Sequence, residues 1–165
     1  MPHVFRAVLT TAIVVFVLPI ATAGVDQAKE RKLPEAVTQA LRENRPGAEI
    51  DKLSVEKENG IVFYDFEFKG NQGEMDVAED GTVLDVATII EMKDVPDIVA
   101  AAIRSAGRGK TIKQLSRSEV RAEIVKQGGK GVVSKLATPR FVYEAEFSKG
   151  EVEISPDGKI IKTEK

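Results

Sequence analysis

Four carboxylates stand at spacings that could do chemistry. Asp65 and Glu67 lie two apart in the run IVFYDFEFK, and Glu144 and Glu146 lie two apart in YEAEF. Paired carboxylates carry general acid and base steps when their surroundings push their proton affinities apart. Here a period of two sets them on the strand face opposite Tyr64, Phe66 and Phe68. Such a face is expected to be wet. A solvated face or a partner-contact stripe accounts for the four better than a hydrolase does. The aromatics Tyr64, Phe66, Phe68, Tyr143 and Phe147 read as core rather than as the lining of a ligand pocket.

A second set is basic. Lys126, Lys130, Lys135 and Arg140 surround the glycine-rich stretch Gly128-Gly129-Lys130-Gly131. Such a hairpin suits contact with an acidic protein surface, a polyanion or lipid headgroups. Lysines also keep ordinary hairpin edges from aggregating, which is the plainer reading. No aromatic residues interleave these charges, so nucleic acid is not the expected partner.

Two further stretches imitate known sites. RSAGRGKT, Arg104 to Thr111, ends like a phosphate loop but lacks the first glycine. It also follows a helix and leads into a strand, the reverse of the order a phosphate loop needs. A helix C-terminus explains its glycines. Glu79-Asp80-Gly81 and Pro156-Asp157-Gly158 carry too few ordered oxygen ligands for a calcium loop and read as hairpin turns, with a weak surface calcium site left open.

The chain has no cysteine and one histidine, His3. No thiolate nucleophile, disulfide framework or cysteine metal site is available, and no cofactor or metal centre is expected. The net charge of −2 says little about partners. Arg6, the apolar run Ala7 to Ile20 and Ala21-Thr22-Ala23 form a secretory signal. Cleavage is expected before Gly24, and 24–32 then forms a flexible leader. The apolar run is shorter than the roughly 20 residues a spanning helix needs, and it contains Pro19. The membrane is expected to be touched only if this signal stays uncleaved. Export without disulfides points to a bacterial periplasm or exterior.

The elements that position these residues follow a pattern. LPEAVTQALRENRPGAEI begins with Leu33, and VPDIVAAAIRSAGRGKTI begins with Val95. Each places an apolar residue before proline, then an acidic residue, then an apolar helical stripe: Leu33, Val37, Ala40 and Leu41 in the first, Val95, Val99, Ala102 and Ile103 in the second. Strand-like runs follow each, with Asn59-Gly60 and the two Asp-Gly pairs as turns. The expected fold is α+β: two αββββ repeats, 33–90 and 95–165, joined by 91–94, with one helix per repeat packed on one face of antiparallel sheet. Whether the strands make one sheet or two is open, although joining is favoured because each unit alone is small. The segment 117–140 is longer than its counterpart in the first repeat and reads as an extended hairpin that could reach beyond the sheet. Charge differs too: 33–90 holds five basic and thirteen acidic residues, 95–165 fourteen and nine.

The run LPEAVTQALRENRPGAEI, the strand YDFEF and the segment EMDVAEDGTVLDV resemble the PepSY-like family of small secreted bacterial domains, which is related to β-lactamase-inhibitor-like proteins. The resemblance is good over about Leu33 to Val86 and weaker over 95–162. It implies a non-enzymatic periplasmic or secreted protein-binding module. It further implies inhibition or regulation of an envelope peptidase, by analogy with related domains in protease pro-segments. The contact residues expected are Lys126, Lys130, Lys135, Arg140, Asp65, Glu67, Glu144 and Glu146. A carrier or sensor of a small apolar ligand, held between helices and sheet, is the alternative.

Overall fold

The structure, a computed structural model, describes residues 33–164. The expected signal peptide, its cleavage point and the leader lie outside the described residues, as does Lys165. Among the described residues no helix is long and apolar enough to cross a membrane.

Helix α1 is Glu35–Asn44 and helix α2 is Asp97–Gly107. Pro34 and Pro96 occupy the N-cap positions, one residue earlier than a first-turn placement. Their carbonyls accept from Thr38 N–H at 3.0 Å and Ala100 N–H at 2.9 Å. The fixed φ of proline thus starts each helix without removing a donor that the helix needs. The strands are β1 Ile50–Glu58, β2 Ile61–Phe68, β3 Glu74–Ala78, β4 Val83–Ile89, β5 Ile112–Gln127, β6 Lys130–Phe147, β7 Glu151–Ile154 and β8 Ile160–Glu164. Asn59 and Gly60, at φ 50° and 92°, make the tight turn between β1 and β2.

The expectation of two αββββ repeats is corrected here. The eight strands form one antiparallel sheet in the order β1 to β8. No boundary divides it, because β4 pairs with β5 from Asp85↔Val120 to Ile89↔Ser116. A four-stranded sheet ending at β4 would leave an open edge, and pairing with β5 satisfies those backbone groups. The two halves also differ in build, since β5 and β6 run to 16 and 18 residues.

Both helices lie on one face. Under α2, Val99, Ile103, Val152 and Ile154 are at most 1 % exposed and pack with Leu115, Ala145 and Phe147. Under α1, Val37, Phe66, Met75 and Val77 are fully buried. Each such side chain contributes roughly 1.5–3 kcal/mol of burial. The helix α1 exit is clamped to the sheet: Arg45 Nη2 donates to the Ala87 carbonyl at 2.7 Å, and its guanidinium lies 5.3 Å from the Phe68 ring centre. The phosphate-loop imitation is the exit of α2. Arg108 takes the left-handed conformation at φ 46°, and Gly107 abuts the Phe147 ring so closely that a Cβ would come within 2.7 Å of it.

The β5–β6 hairpin does not reach out beyond the sheet. Between the partners of Val120 and Ala122, β6 jumps from Arg140 to Lys135, so 136–139 bulge against the single residue Arg121. Pro139 lies in that bulge, where a missing N–H is tolerated. Bulges bend the strand that carries them. The outer arm curls back over the helix-free face, where Ala122 and Ile124 pack against Phe63, Ala78 and Leu84. Its tip meets the β1–β2 turn: a Cβ on Gly131 would overlap the Asn59 backbone carbonyl.

Candidate functional site: an acidic face of the sheet

Alternation sends Tyr64, Phe66, Met75, Val77, Tyr143 and Ala145 to the helix side, and the residues between them to the helix-free side. Cross-strand register then lines up the carboxylates. Asp65 stands opposite Asp76, and Asp76 opposite Asp85. Glu67 stands opposite Glu74. Further along, Glu144 faces Glu153, which faces Lys162; Glu146 faces Glu151, which faces Glu164. All four carboxylates expected from the sequence therefore share one face, joined there by six more. Like charges directly opposite destabilise a sheet, so this face holds a standing electrostatic cost.

The cost shows in proton affinity. Glu74 is pushed up to about 7, first by burial, then by Asp65, Glu67 and Asp76. Glu144 is likewise pushed up to about 7, first by burial, then by Glu151, Glu153 and Glu74. Burial also raises Glu151 and Glu153. The expectation of a simply wet face is thus corrected at Glu144, which is withdrawn from water.

Cations offset part of the charge. Lys162 Nζ lies 2.5 Å from Glu164, 3.6 Å from Glu153 and 3.8 Å from Glu151. Lys52 holds Glu67 at 2.5 Å, and Lys113 reaches Glu146 at 3.3 Å. Arg140, at the base of the arm, pairs with Glu123 at 2.5 Å and favours the charged form of Glu153. Arg140 therefore belongs to the acidic face. Lys126, Lys130 and Lys135 remain exposed on the arm and are not brought to the carboxylates.

The added residues Glu74, Asp76, Glu151 and Glu153 had a signal in the sequence. EMDVA and EVEI alternate acid with apolar just as YDFEF does. Among the described residues no three carboxylates are placed to hold a metal ion. At the turns, Asp80 accepts from Thr82 N–H at 2.9 Å. Asp157 is held down to about 2 by hydrogen bonds from Lys159 and then Ser155. A cleft of about 300 Å³ lies beside the β4 end and the β5 start, lined by Ile89, Ile90, Met92, Lys113, Gln114 and Leu115 among others. Its lining is mixed, and it sits at the strand junction rather than between helices and sheet.

No family model matches the chain, and none of the curated proteins matches it. Solved structures do match its fold. A Bacteroides eggerthii protein, provisionally described as periplasmic, superimposes with a TM-score of 0.56 at 13 % identity, covering 81 % of this chain and 88 % of that chain. A DUF2874 family protein from Bacteroides uniformis gives 0.51 at 16 % identity over 79 % and 88 %. Another, from Bacteroides ovatus, gives 0.50 at 13 % identity over 81 % and 87 %. At these identities the shared property is the fold.

Proposed function

We propose that the chain is a non-enzymatic periplasmic binding module of PepSY-like type whose helix-free sheet face receives a basic segment of an envelope or secreted protein. The observation that carries this reading is the set of carboxylates in register across one face of the sheet, with Lys52, Lys113, Arg140 and Lys162 paired to acids there. Cationic side chains of a partner would meet complementary charge on this face. The resemblance of LPEAVTQALRENRPGAEI and YDFEF makes a peptidase the partner class of first choice. The periplasmic compartment rests on the signal-like first residues and on the description given to the Bacteroides eggerthii protein.

The exposed lysines of the arm, Lys126, Lys130 and Lys135, form a secondary contact region beside the acidic face.

Affinity capture from envelope extract tests this. The native chain and a variant carrying Asp65→Asn, Glu67→Gln and Glu146→Gln are compared at low and high salt. A basic protein retained by the native chain, weakened by salt and lost with the variant, is the expected result. Equal retention by both chains, or retention insensitive to salt, overturns the reading.

A further inference from the structure

From Ile98 to Ser118 the chain carries no aspartate or glutamate, although it carries Arg104, Arg108, Lys110, Lys113 and Arg117. Three of these cations stand at the exit of α2. Arg104 lies in its last turn, Arg108 is its C-cap at φ 46°, and Lys110 follows Gly109. The turn between β6 and β7 lies against this exit. Ser148 N–H donates to the Thr111 carbonyl at 2.9 Å, and Lys110 Nζ donates to the Lys149 carbonyl at 2.8 Å. Lys149 thereby joins the same surface patch. Arg104, Arg108, Lys110 and Lys149 are all exposed, and among the described residues none of them holds a carboxylate. The adjoining acids, Glu146 and Glu151, alternate onto the helix-free side, where Lys113 and Lys162 meet them.

The exit of α1 supplies a comparison within the chain. There Lys69 N–H donates to the Glu49 carbonyl at 2.9 Å, the same junction of helix exit and turn. That junction carries Glu43 and Glu49 beside Arg42 and Lys69, and Lys69 pairs with Glu49 at 3.1 Å. Cations suit the negative end of a helix dipole, which accounts for Arg104 and Arg108. It does not account for Lys149, which belongs to another element, or for the missing acids.

A single phosphate has no cradle here, because the N–H groups of Arg108 and Lys110 already donate to the carbonyls of Arg104 and Gly107. A protein partner would need an apolar anchor at the centre of the patch. The exposed residues between the cations are Ser105, Gly109, Thr111 and Ser148, and Phe147 is buried beneath Lys110. We propose that the α2 exit and the β6–β7 turn seat the chain on anionic lipid headgroups, a surface that asks for charge but for neither pocket nor anchor. Clusters of about four or more Lys and Arg are the usual signature of such contact. At 0.1 M salt a charge acts over about 10 Å, so the patch works through its own sign rather than through the net charge of −2. The contact does not use the signal segment and is independent of what the acidic face binds.

Sedimentation with vesicles tests this on the purified, exported chain. Vesicles of phosphatidylcholine alone are compared with vesicles of equal parts phosphatidylcholine and phosphatidylglycerol. The native chain is expected to bind the mixed vesicles, to ignore the neutral ones, and to be released by salt. Each cation at such a surface counts for about fivefold, so Arg104→Gln with Arg108→Gln and Lys149→Gln should weaken binding by about tenfold or more. Lys149→Glu, a single change in an exposed turn, should alone weaken it by about fivefold or more, so the result does not hang on a variant that fails to fold. Lys126→Gln with Lys130→Gln and Lys135→Gln removes as much charge from the arm and should bind as the native chain does. Four outcomes each overturn the proposal: no binding to the mixed vesicles, equal binding to the neutral ones, native binding by the α2-exit variants, or an equal loss in the arm variant. Soluble polyglutamate bound as tightly as the vesicles, charge for charge, would make the occupant an acidic protein and overturn the lipid assignment.

Discussion

Gly131, at the tip of the β5–β6 arm, meets Asn59 in the β1–β2 turn so closely that a Cβ on the glycine would overlap the Asn59 carbonyl. The approach seats the tip of the arm on the turn and adds to the packing of Ala122 and Ile124 on the helix-free face. Gly131→Ala should therefore destabilise the chain by about 1–3 kcal/mol, the usual cost of forcing atoms into a filled space. Urea unfolding measures it. An unchanged midpoint would mean that the tip is not seated on the turn.

The arm and the sheet should also be energetically coupled through Phe63, which is 2 % exposed beneath Ile124 and Ala122. Phe63→Ala is expected to cost about 3–5 kcal/mol and Ile124→Ala about 2–5. Because both changes open the same contact, the double variant should fall short of the sum by about 0.5 kcal/mol or more. Strict additivity in the double-mutant cycle would count against the packing of arm on sheet.

The acidic face sets the direction of pH dependence. Glu74 and Glu144 are raised from 4.5 to about 7 in the folded chain. Between those values the folded state holds more protons than the unfolded state. The stability this gives is fully present at the acidic end of the window and is lost as pH rises through about 7. Glu151 and Glu153 are shifted in the same direction and add to it. The melting temperature should fall on going from mildly acidic to mildly alkaline buffer. Glu74→Gln with Glu144→Gln should flatten that decline and raise the alkaline value. A melting temperature that instead climbs across this range would contradict the arrangement.

Lys162 should matter most where the carboxylates are ionised. It reaches Glu151, Glu153 and Glu164 from one position on β8. Lys162→Ala leaves the three facing each other and should cost about 1–3 kcal/mol in alkaline buffer, since hydrogen bonds to charged groups are among the stronger ones. In acid the neighbours take up protons and the cost should shrink. Unfolding curves of native and variant chains at both ends of the range decide it; a cost independent of pH would show that the lysine acts through packing alone.

Local features of the fold were written plainly in the sequence. Pro34 and Pro96 announce the helix starts, Asn59-Gly60 announces a turn, and YDFEF announces its two faces. What could not be read was adjacency between distant segments. Asp76 gains its meaning from Asp65 and Asp85, and those neighbours depend on turn lengths and on the bulge between β3 and β4. The union of β4 with β5 depends on each sheet half having an edge to satisfy, which no single segment displays. The arm is the sharpest case. Its glycines and lysines suggested a projection into solvent, whereas Pro139 and its bulge turn it inward, and Gly131 is glycine because the Asn59 backbone lies against it. The four candidate carboxylates were identifiable, but their half-burial was not, because it depends on which strands lie beside them.

Every strand of this sheet pairs with the strand next to it in sequence. The chain can therefore add strand to neighbouring strand, with the connection 90–111, which carries α2, the long one among them. For a molecule so rich in strand, that keeps most loop closures short and its folding comparatively quick. The meeting of Asn59 and Gly131, like that of Phe63 with Ala122 and Ile124, needs both the first hairpin and the long one already made. These contacts between the first hairpin and the long one therefore close late, after the strands they join have formed.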